Sequence, residues 1–414
     1  MHARTNHLTG TPRQSRYGWW HWHLLRSVIV AVALGLTLAP PYSVEAKTFY
    51  CRAGDVQCFI ASITEANASA KQKNTINLEA GVYTLVDVNN TTDGPNGLPS
   101  ITGSLAIRGV GNDLTRIERN INTPCFRILH VAATGVLTLD GLAVSQGANA
   151  SERGAGLFNN GGAVTMTQTT FTGNRSDPFS CGAYAFPRGG GLYTTGGVVT
   201  IAKSSFVHNY SYTSGGGLYI DDNAAIVTIT DTTIVGNGGF LGSGGLHSEG
   251  TVTIINSTVA QNTVGQGEGG GIGSFGSAYI LNSTIVENSA GGYGGGTGGI
   301  NGYAALQNTI VADNTYNGAP SNCFPTSLGN NLIGDLSGCH MTLLPSDLTG
   351  DPGLAPFRDE GAPGTGHYPL LSTSQAINAG SPAVCPKTDQ LGEKRDKLCD
   401  IGSIEFQGTA VSSR

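Results

Sequence analysis

Apolar and polar residues alternate in short segments along most of the chain, and one pattern returns six times between Gly154 and Asn314. Each copy opens with a glycine cluster followed by a leucine or isoleucine; these residues are Leu157, Leu192, Leu218, Leu246, Ile272 and Ile300. Successive steps from Leu192 are 26, 28 and 26 residues to Leu218, Leu246 and Ile272. A fixed period of this size predicts one supersecondary unit stacked on the next, as in a solenoid.

Each copy contains three short segments with the alternation typical of strands, separated by turn residues. Earlier segments without the triple glycine, such as 75–78 and 82–85, follow the same rhythm of strand and turn. Three short strands in about 26 residues favour a parallel β-helix over a propeller, whose blades take about 40–45 residues. We therefore predict an all-β protein with a parallel β-helix over residues 76–316.

Aligning the six copies predicts which positions face the interior. The glycine-following column is one interior column, and the second consists of Phe171, Phe206, Ile234, Val259, Ile285 and Ile310. Three residues after the second column, five copies carry an asparagine: Asn174, Asn209, Asn237, Asn262 and Asn288. The sixth copy gives Asp313 at that offset, with Asn314 beside it. Stacked amides predict a structural ladder of hydrogen bonds between coils.

The two ends of the repeat array need caps, because a solenoid exposes its core there. Phe59, Ile60, Ile63 and Ala66 lie at helical spacing, so residues 47–75 are predicted to form an N-terminal cap with a short amphipathic helix. After Thr315 the periodicity fades, and residues 317–414 are predicted to form terminal coils and a disulfide-closed C-terminal cap.

Residues 1–46 have the pattern of a signal peptide. A basic leader precedes an apolar run over 28–39, which is too short to span a bilayer comfortably. A small-residue cleavage site then predicts a mature protein from about Lys47 without a membrane span. An uncleaved membrane anchor is the alternative. The expected location is secreted, either extracellular or at the cell surface.

All eight cysteines lie after this segment, and an even number behind a signal peptide predicts disulfides. Proximity in sequence suggests the pairs Cys51–Cys58, Cys323–Cys339 and Cys385–Cys399, which leaves Cys125 with Cys181. A metal site is the alternative, but the sequence has no Cys-x-x-Cys or Cys/His cluster to support it. No metal ligands are therefore assigned.

The net charge of −6 and the lack of clustered Lys and Arg after residue 47 argue against a nucleic-acid partner. No cofactor is expected. Calcium bound by acidic turn residues is conceivable, but the nonapeptide calcium repeat is absent. We expect a monomer.

Several motifs resemble the bacterial secreted β-helix proteins of the choice-of-anchor Q type. They are the segment 97–109, the triple-glycine coils, the segment 376–382, and the C-terminal run Cys399-Asp-Ile-Gly-Ser-Ile-Glu405. The segment 58–67 is similar to the cap helix that often precedes such domains, although its middle differs. The resemblance covers nearly all of the mature chain. It implies a right-handed, pectate-lyase-like fold and an extracellular or surface location, and it implies no established activity.

Aromatic residues mark one outer face of the predicted solenoid. Phe158, Tyr193 and Tyr219 follow the first interior column, and an insertion over 177–188 lengthens the step from Leu157 to Leu192 to 35 residues. Further aromatics precede the glycine clusters, and the full set of candidate ligand-binding residues is Phe158, Tyr193, Tyr219, Tyr184, Phe186 and Tyr212. Such a strip suits stacking with sugar rings. Alternatively, the aromatic columns only stack on one another and stiffen the face.

Acidic residues edge the same strip. Asp221 and Glu249 occupy one column a coil apart, with His247 beside them, and glycoside hydrolysis needs two carboxyl groups roughly 5–9.5 Å apart. These three are the candidate catalytic residues. Solenoids bring like residues together by construction, however, and the motifs of calcium-dependent pectate lyases and polygalacturonases are absent.

The sequence therefore leaves three functions open. The leading one is a non-catalytic secreted or surface protein that binds polysaccharide or another surface ligand. The second is a polysaccharide lyase or glycoside hydrolase acting on a polymer along the β-helix face. The third is a structural, adhesin-like spacer.

Overall fold

Parallel pairing between strands one coil apart builds the whole structure, a computed structural model that describes residues 45–149, 153–182, 185–221, 224–293, 296–322 and 325–408. The strands form a parallel β-solenoid of about ten coils. This confirms the all-β, parallel β-helix prediction. The segment predicted to be a signal peptide lies outside the described residues up to position 44. Within the described ranges, no helix is long and apolar enough to cross a membrane.

A regular coil has four strands rather than the predicted three. The first strands are Leu129–Val131, Leu157–Asn159, Leu192–Thr194, Leu218–Ile220 and Leu246–Ser248. The second strands are Asn74–Leu78, Ser104–Arg108, Val136–Asp140, Ala163–Thr167, Val198–Ala202, Ile226–Thr230, Thr251–Ile255 and Thr326–Ser327. Ile272–Leu281 and Ile300–Gln307 each join a first and a second strand, and Thr48–Cys51 pairs with Asn74–Leu78. First and second strands share one sheet.

The other two sheets complete the coil. The third strands are Gly81–Leu85, Thr115–Arg119, Ala143–Ser145, Thr170–Thr172, Ser205–Val207, Thr233–Val235, Thr258–Ala260, Thr284–Val286, Ile310–Ala312, Leu332–Ile333 and Leu348–Thr349. The fourth strands are Ala148–Asn149, Arg175–Ser176, Tyr210–Ser211, Gly238–Ser243, Thr263–Gly269, Ser289–Ala290 and Thr315–Tyr316, followed by the antiparallel Ala319–Pro320. The sequence missed the fourth strands because most contain only two residues.

The interior columns are buried as predicted, with one slip of register. Val311, and not Ile310, pairs with Ile285 and continues the second column, whereas Ile310 pairs with Thr284 and faces outward. The amide ladder accordingly continues from Asn288 to Asn314, whose Oδ1 accepts from the Asn288 backbone at 2.9 Å. The step is therefore 26 residues, and the apparent Asp313 exception disappears.

The N-terminal cap is the helix Val56–Ala68, as the apolar spacing predicts. Asp55 caps it by accepting from the Cys58 backbone N–H at 2.9 Å, and the Cys51–Cys58 disulfide ties the helix to the first strand. Phe59 and Ile63 are fully buried over the open end of the core.

The C-terminal region covers two different surfaces of the solenoid, the end of its core and the outer face of the third strands. Cys339, Met341 and Leu343 pack against the end of the main core. Residues 351–406 instead run along the outer face of the third-strand sheet, where a second apolar cluster forms between that face and Tyr368, Leu370, Ala376 and Ile401. We call residues 351–406 the strap; the Cys385–Cys399 disulfide lies within it.

Polar columns of the solenoid hold the strap. On the outer face, the Thr233 hydroxyl donates a hydrogen bond to the Gly366 carbonyl, and the Thr258 hydroxyl donates one to the Gln390 Oε1. At the corner before each third strand, the side chains of four asparagines donate to strap carbonyls; they are Asn256, Asn282, Asn308 and Asn330. These corner residues adopt positive φ, which asparagine tolerates better than most side chains. A column that looks like a plain polar turn is therefore a docking row for the strap.

Candidate functional site

Six rings form a continuous ladder along the first strands. Five of them are paired position by position in adjacent coils: His130, Phe158, Tyr193, Tyr219 and His247. The sixth ring, Phe275, packs against His247. Neighbouring ring centroids are 4.6–5.5 Å apart, and Tyr193 and Tyr219 lie parallel at 5.1 Å. Leu129 pairs with Leu157, and His130 therefore pairs with Phe158. Aligning the coil of Leu129 with the six repeats would have predicted His130 as a member of the ladder.

The ladder is covered, contrary to the predicted exposed strip. Phe158, Tyr193 and Tyr219 form a buried apolar cluster of their own. Arginine side chains lie over their rings, with guanidinium carbons 5.0–5.4 Å from the centroids; the pairs are Arg127–Phe158, Arg153–Tyr193 and Arg188–Tyr219. A sugar could stack on these faces only if that cover moved.

Asp221 and Glu249 meet the hydroxyl end of the ladder. Tyr193 donates to Asp221, and Tyr219 donates to Glu249 at 2.5 Å. Burial followed by these carboxylate contacts raises the pKa of both tyrosines. The adjacent imidazole of His247 and the Tyr219 hydroxyl lower the pKa of Glu249 to about 2. Glu249 is therefore ionised across ordinary pH, which does not favour it as a general acid.

His247 has a serine hydroxyl at one ring nitrogen and a carboxylate near the other. Nδ1 lies 2.8 Å from the Ser214 Oγ and 3.3 Å from the Ser243 Oγ, while Nε2 lies 3.6 Å from the Glu249 Oε1. The structure thus brings the three candidate catalytic residues to one place along the ladder. Their polar atoms contact the tyrosines of the ladder and residues of the corners, such as Arg188 and Ser214. These contacts fix the three side chains in place as a polar border of the ladder.

The opposite end of the ladder repeats this pattern at His130. Its Nδ1 lies 2.9 Å from the Ser100 Oγ, and its Nε2 lies 3.1 Å from the Asp93 Oδ2. Burial, followed by the positive charge of Arg127, lowers the pKa of His130 to about 4. The ring is fully buried, so this histidine is a neutral structural group at ordinary pH.

Four aromatic rings, two exposed and two half-buried, gather on the fourth-strand face. We call Phe179, Phe186, Tyr212 and Phe240 the aromatic platform. Tyr212 lies at its centre, with ring centroids 5.1 Å from Phe179, 6.5 Å from Phe186 and 5.2 Å from Phe240. Phe179 and Phe186 are 71% and 73% exposed. The ligand candidates Phe186 and Tyr212 therefore come together, whereas Tyr184 lies outside the described residues.

The insertion between two repeats positions half of this platform. Its short helix Pro178–Cys181 is capped by Asp177, which accepts from the Phe179 backbone N–H at 3.1 Å. The Cys125–Cys181 disulfide then fastens the insertion to the preceding coil. Of the remaining pair, Cys339 is disulfide-bonded, and its predicted partner Cys323 lies outside the described residues.

No group of three or more His, Cys, Asp or Glu side chains in the described ranges is arranged to hold a metal ion. The site therefore consists of the covered ladder, the carboxylates and arginine at its edge, and the aromatic platform.

No protein-family model matches the chain, and no curated protein matches it. The resemblance to the choice-of-anchor Q type thus rests on sequence motifs alone, while the β-solenoid itself is shown by the structure.

Proposed function

We propose that the protein is a non-catalytic polysaccharide-binding β-helix, secreted or displayed at a cell surface. The observation that carries this proposal is the aromatic platform, because Phe179 and Phe186 leave most of their rings open to solvent. Aromatic faces of this kind match the apolar faces of sugar rings. The disulfides support an oxidising compartment outside the cytosol. A right-handed coil and a cleaved signal peptide belong to the same proposal.

The polar surroundings suit a carbohydrate better than a purely apolar partner. Arg188, two residues after Phe186, forms an ion pair with Asp221 at 3.6 Å, and both side chains are partly exposed. Paired guanidinium and carboxylate groups offer donors and acceptors to sugar hydroxyls without adding net charge.

Affinity electrophoresis in gels containing xylan, galactomannan, hydroxyethylcellulose or polygalacturonate tests the proposal. We expect at least one polymer to retard the protein, and the double variant Phe179→Ala with Phe186→Ala to lose most of that retardation. By analogy with base stacking on aromatic platforms, each ring should contribute about 1–3 kcal/mol. Tyr50→Ala, which removes a remote exposed aromatic ring, is the matched control.

The outcomes separate the three functions. Retardation that the double variant leaves unchanged, or no retardation in any gel, contradicts the proposal and leaves the spacer function. Release of reducing or unsaturated ends from any of these polymers, abolished in Glu249→Gln, would instead support the lyase or hydrolase alternative.

A further inference from the structure

A second pair of exposed aromatics lies farther along the solenoid, at the end where the ladder reaches the surface. Phe275 is 41% exposed and Tyr303 is 74% exposed. They follow Ser274 and Gly302, the last paired residues before the register between the two long strands shifts. Such irregularities in a sheet redirect side chains, and here the shift accompanies two aromatic residues turned outward on adjacent coils.

A chain of contacts links this pair to the aromatic platform. Phe186 is followed two residues later by Arg188, which pairs with Asp221 over the covered tyrosines. Glu249 stands one coil beyond Asp221 and contacts His247 at 3.6 Å, and Phe275 packs against the His247 ring at 5.1 Å. The surface thus passes from aromatic to polar to aromatic across the outer side of the first strands, from the fourth-strand face before them to the turn that follows them.

We propose that Phe275 and Tyr303 form a second subsite for the same ligand, a linear polysaccharide lying along the solenoid axis. This inference rests on the proposed function. Phe240 lies in the coil that begins at Leu218, and Phe275 and Tyr303 lie in the coils that begin at Ile272 and Ile300, two and three coils further on. At about 4.8 Å per coil, Phe240 is therefore roughly 10 Å from Phe275 and roughly 14 Å from Tyr303 along the axis.

A chain that reaches both groups has more than one sugar in contact, and the polar stretch between them receives the intervening hydroxyls. Two linked contacts raise affinity without any new kind of interaction, because the second binding event is intramolecular. Binding should therefore depend steeply on polymer length. Short oligosaccharides occupy one aromatic group only, and long ones occupy both.

The test uses whichever polymer retards the wild type, partly hydrolysed and separated by size, with binding measured by calorimetry. The variants are Phe275→Ala with Tyr303→Ala, and the platform pair Phe179→Ala with Phe186→Ala. We expect the Phe275/Tyr303 variant to bind long chains about tenfold or more weakly and to bind the shortest chains as the wild type does at the platform. Tyr50→Ala should match the wild type at every length.

The possible failures are distinct. If the platform variant loses binding while the Phe275/Tyr303 variant binds long chains like the wild type, the second subsite is wrong and the proposed function stands. If affinity does not rise with chain length, the axial arrangement is wrong. If no polymer retards the wild type, the proposed function fails and this inference fails with it.

Discussion

At the scale of single residues, equivalent positions of the ladder make different contacts in different coils. Phe158 contributes only packing, whereas Tyr193 and Tyr219 add a hydroxyl that fixes a carboxylate at the edge. His247 and His130 occupy equivalent places, and in each ring Nδ1 lies within hydrogen-bond distance of a serine hydroxyl while Nε2 lies near a carboxylate, at 3.6 Å from Glu249 and 3.1 Å from Asp93. A carboxylate beside each buried imidazole offsets part of the cost of removing its polar atoms from water.

His130 makes stability depend on pH. Its pKa in the folded protein is about 4, below the ordinary value of 6.5, so the unfolded chain takes up a proton first as the pH falls. The free energy of unfolding should therefore decrease between about pH 6.5 and pH 4, by on the order of 3 kcal/mol from this group. Urea unfolding at pH 7 and pH 4 measures the change.

The matched variant for this prediction is His130→Gln, which keeps a polar side chain and removes the titration. Wild type should lose more stability than the variant over the same pH interval, whatever the other groups contribute. Equal losses would show that His130 does not titrate as its burial beside Arg127 requires.

The sequence predicted which residues form the ladder better than it predicted their environment. Alternation places Tyr193 opposite the interior Leu192, and the obvious conclusion is that it faces solvent. The corner segments before the glycine clusters fold back over the strand, and Arg188 and Ser214 come from those corners. Alternation records only which side of a strand a residue occupies, so the cover could not be inferred from it.

At the scale of elements, the amide ladder joins successive coils through side chains. The Asn237 Oδ1 accepts from the backbone and side chain of Asn209 at 2.9 and 3.0 Å. Its Nδ2 donates to the Phe206 carbonyl at 2.8 Å and to the Asn262 Oδ1 at 3.0 Å. Each amide therefore satisfies backbone groups at a corner where no sheet partner is available.

Removing one member of the ladder should be costly. Asn237→Ala leaves buried donors and an acceptor in adjacent coils without partners, and each such group costs about 1–3 kcal/mol. We expect a loss of at least about 3 kcal/mol in the free energy of unfolding, measured by guanidinium titration. Asn122→Ala at an exposed turn should be nearly neutral. A similar small effect at both positions would contradict a structural ladder.

The outer side of the third strands carries an apolar column that is visible in the sequence. Val235, Ala260, Val286 and Ala312 are apolar although they alternate with interior residues. Apolar residues on both sides of a strand are typical of a sheet that is covered twice. This pattern marks where the strap lies, and it also explains why Ile310 was mistaken for an interior residue.

At the scale of the whole molecule, the strap turns a stack of coils into a more cooperative body. A simple solenoid is stabilised by nearest-neighbour contacts and can lose coils from an end. Gly364 bonds to Ser205, and Gly402 bonds to Asn308, so one segment connects coils that are distant in the stack. Terminal coils on the strapped side cannot leave without breaking these bonds.

Arg395 anchors this arrangement from a nearly buried position. Its Nη1 donates to the Glu405 Oε2 at 3.0 Å, and its Nη2 donates to Asn256 and to the Gly402 carbonyl. Arg395→Met leaves Glu405 buried without its cation, a change that typically costs 3–5 kcal/mol. In hydrogen-exchange measurements, backbone amides of the strap should exchange faster in this variant than in the wild type, while amides of the central coils keep their wild-type rates.

Lys394→Met is the control for that experiment, because Lys394 is exposed beside Arg395. Its exchange profile should match the wild type. Simultaneous loosening of all coils in Arg395→Met would mean that the strap and solenoid unfold only together. Unchanged exchange in the strap would mean that the ion pair does not hold it.

The docking rows on the third-strand face also fix the number of coils. Thr233, Thr258 and Thr284 meet the strap in a set order: Gln390 bridges Thr233 and Thr258, and Ser403 bridges Thr258 and Thr284. Duplicating or deleting one 26-residue unit here would move later contacts by one strand spacing, about 4.8 Å, and leave them out of reach. Engineers who wish to lengthen this scaffold should therefore insert coils before Ser205 and leave the strapped region intact.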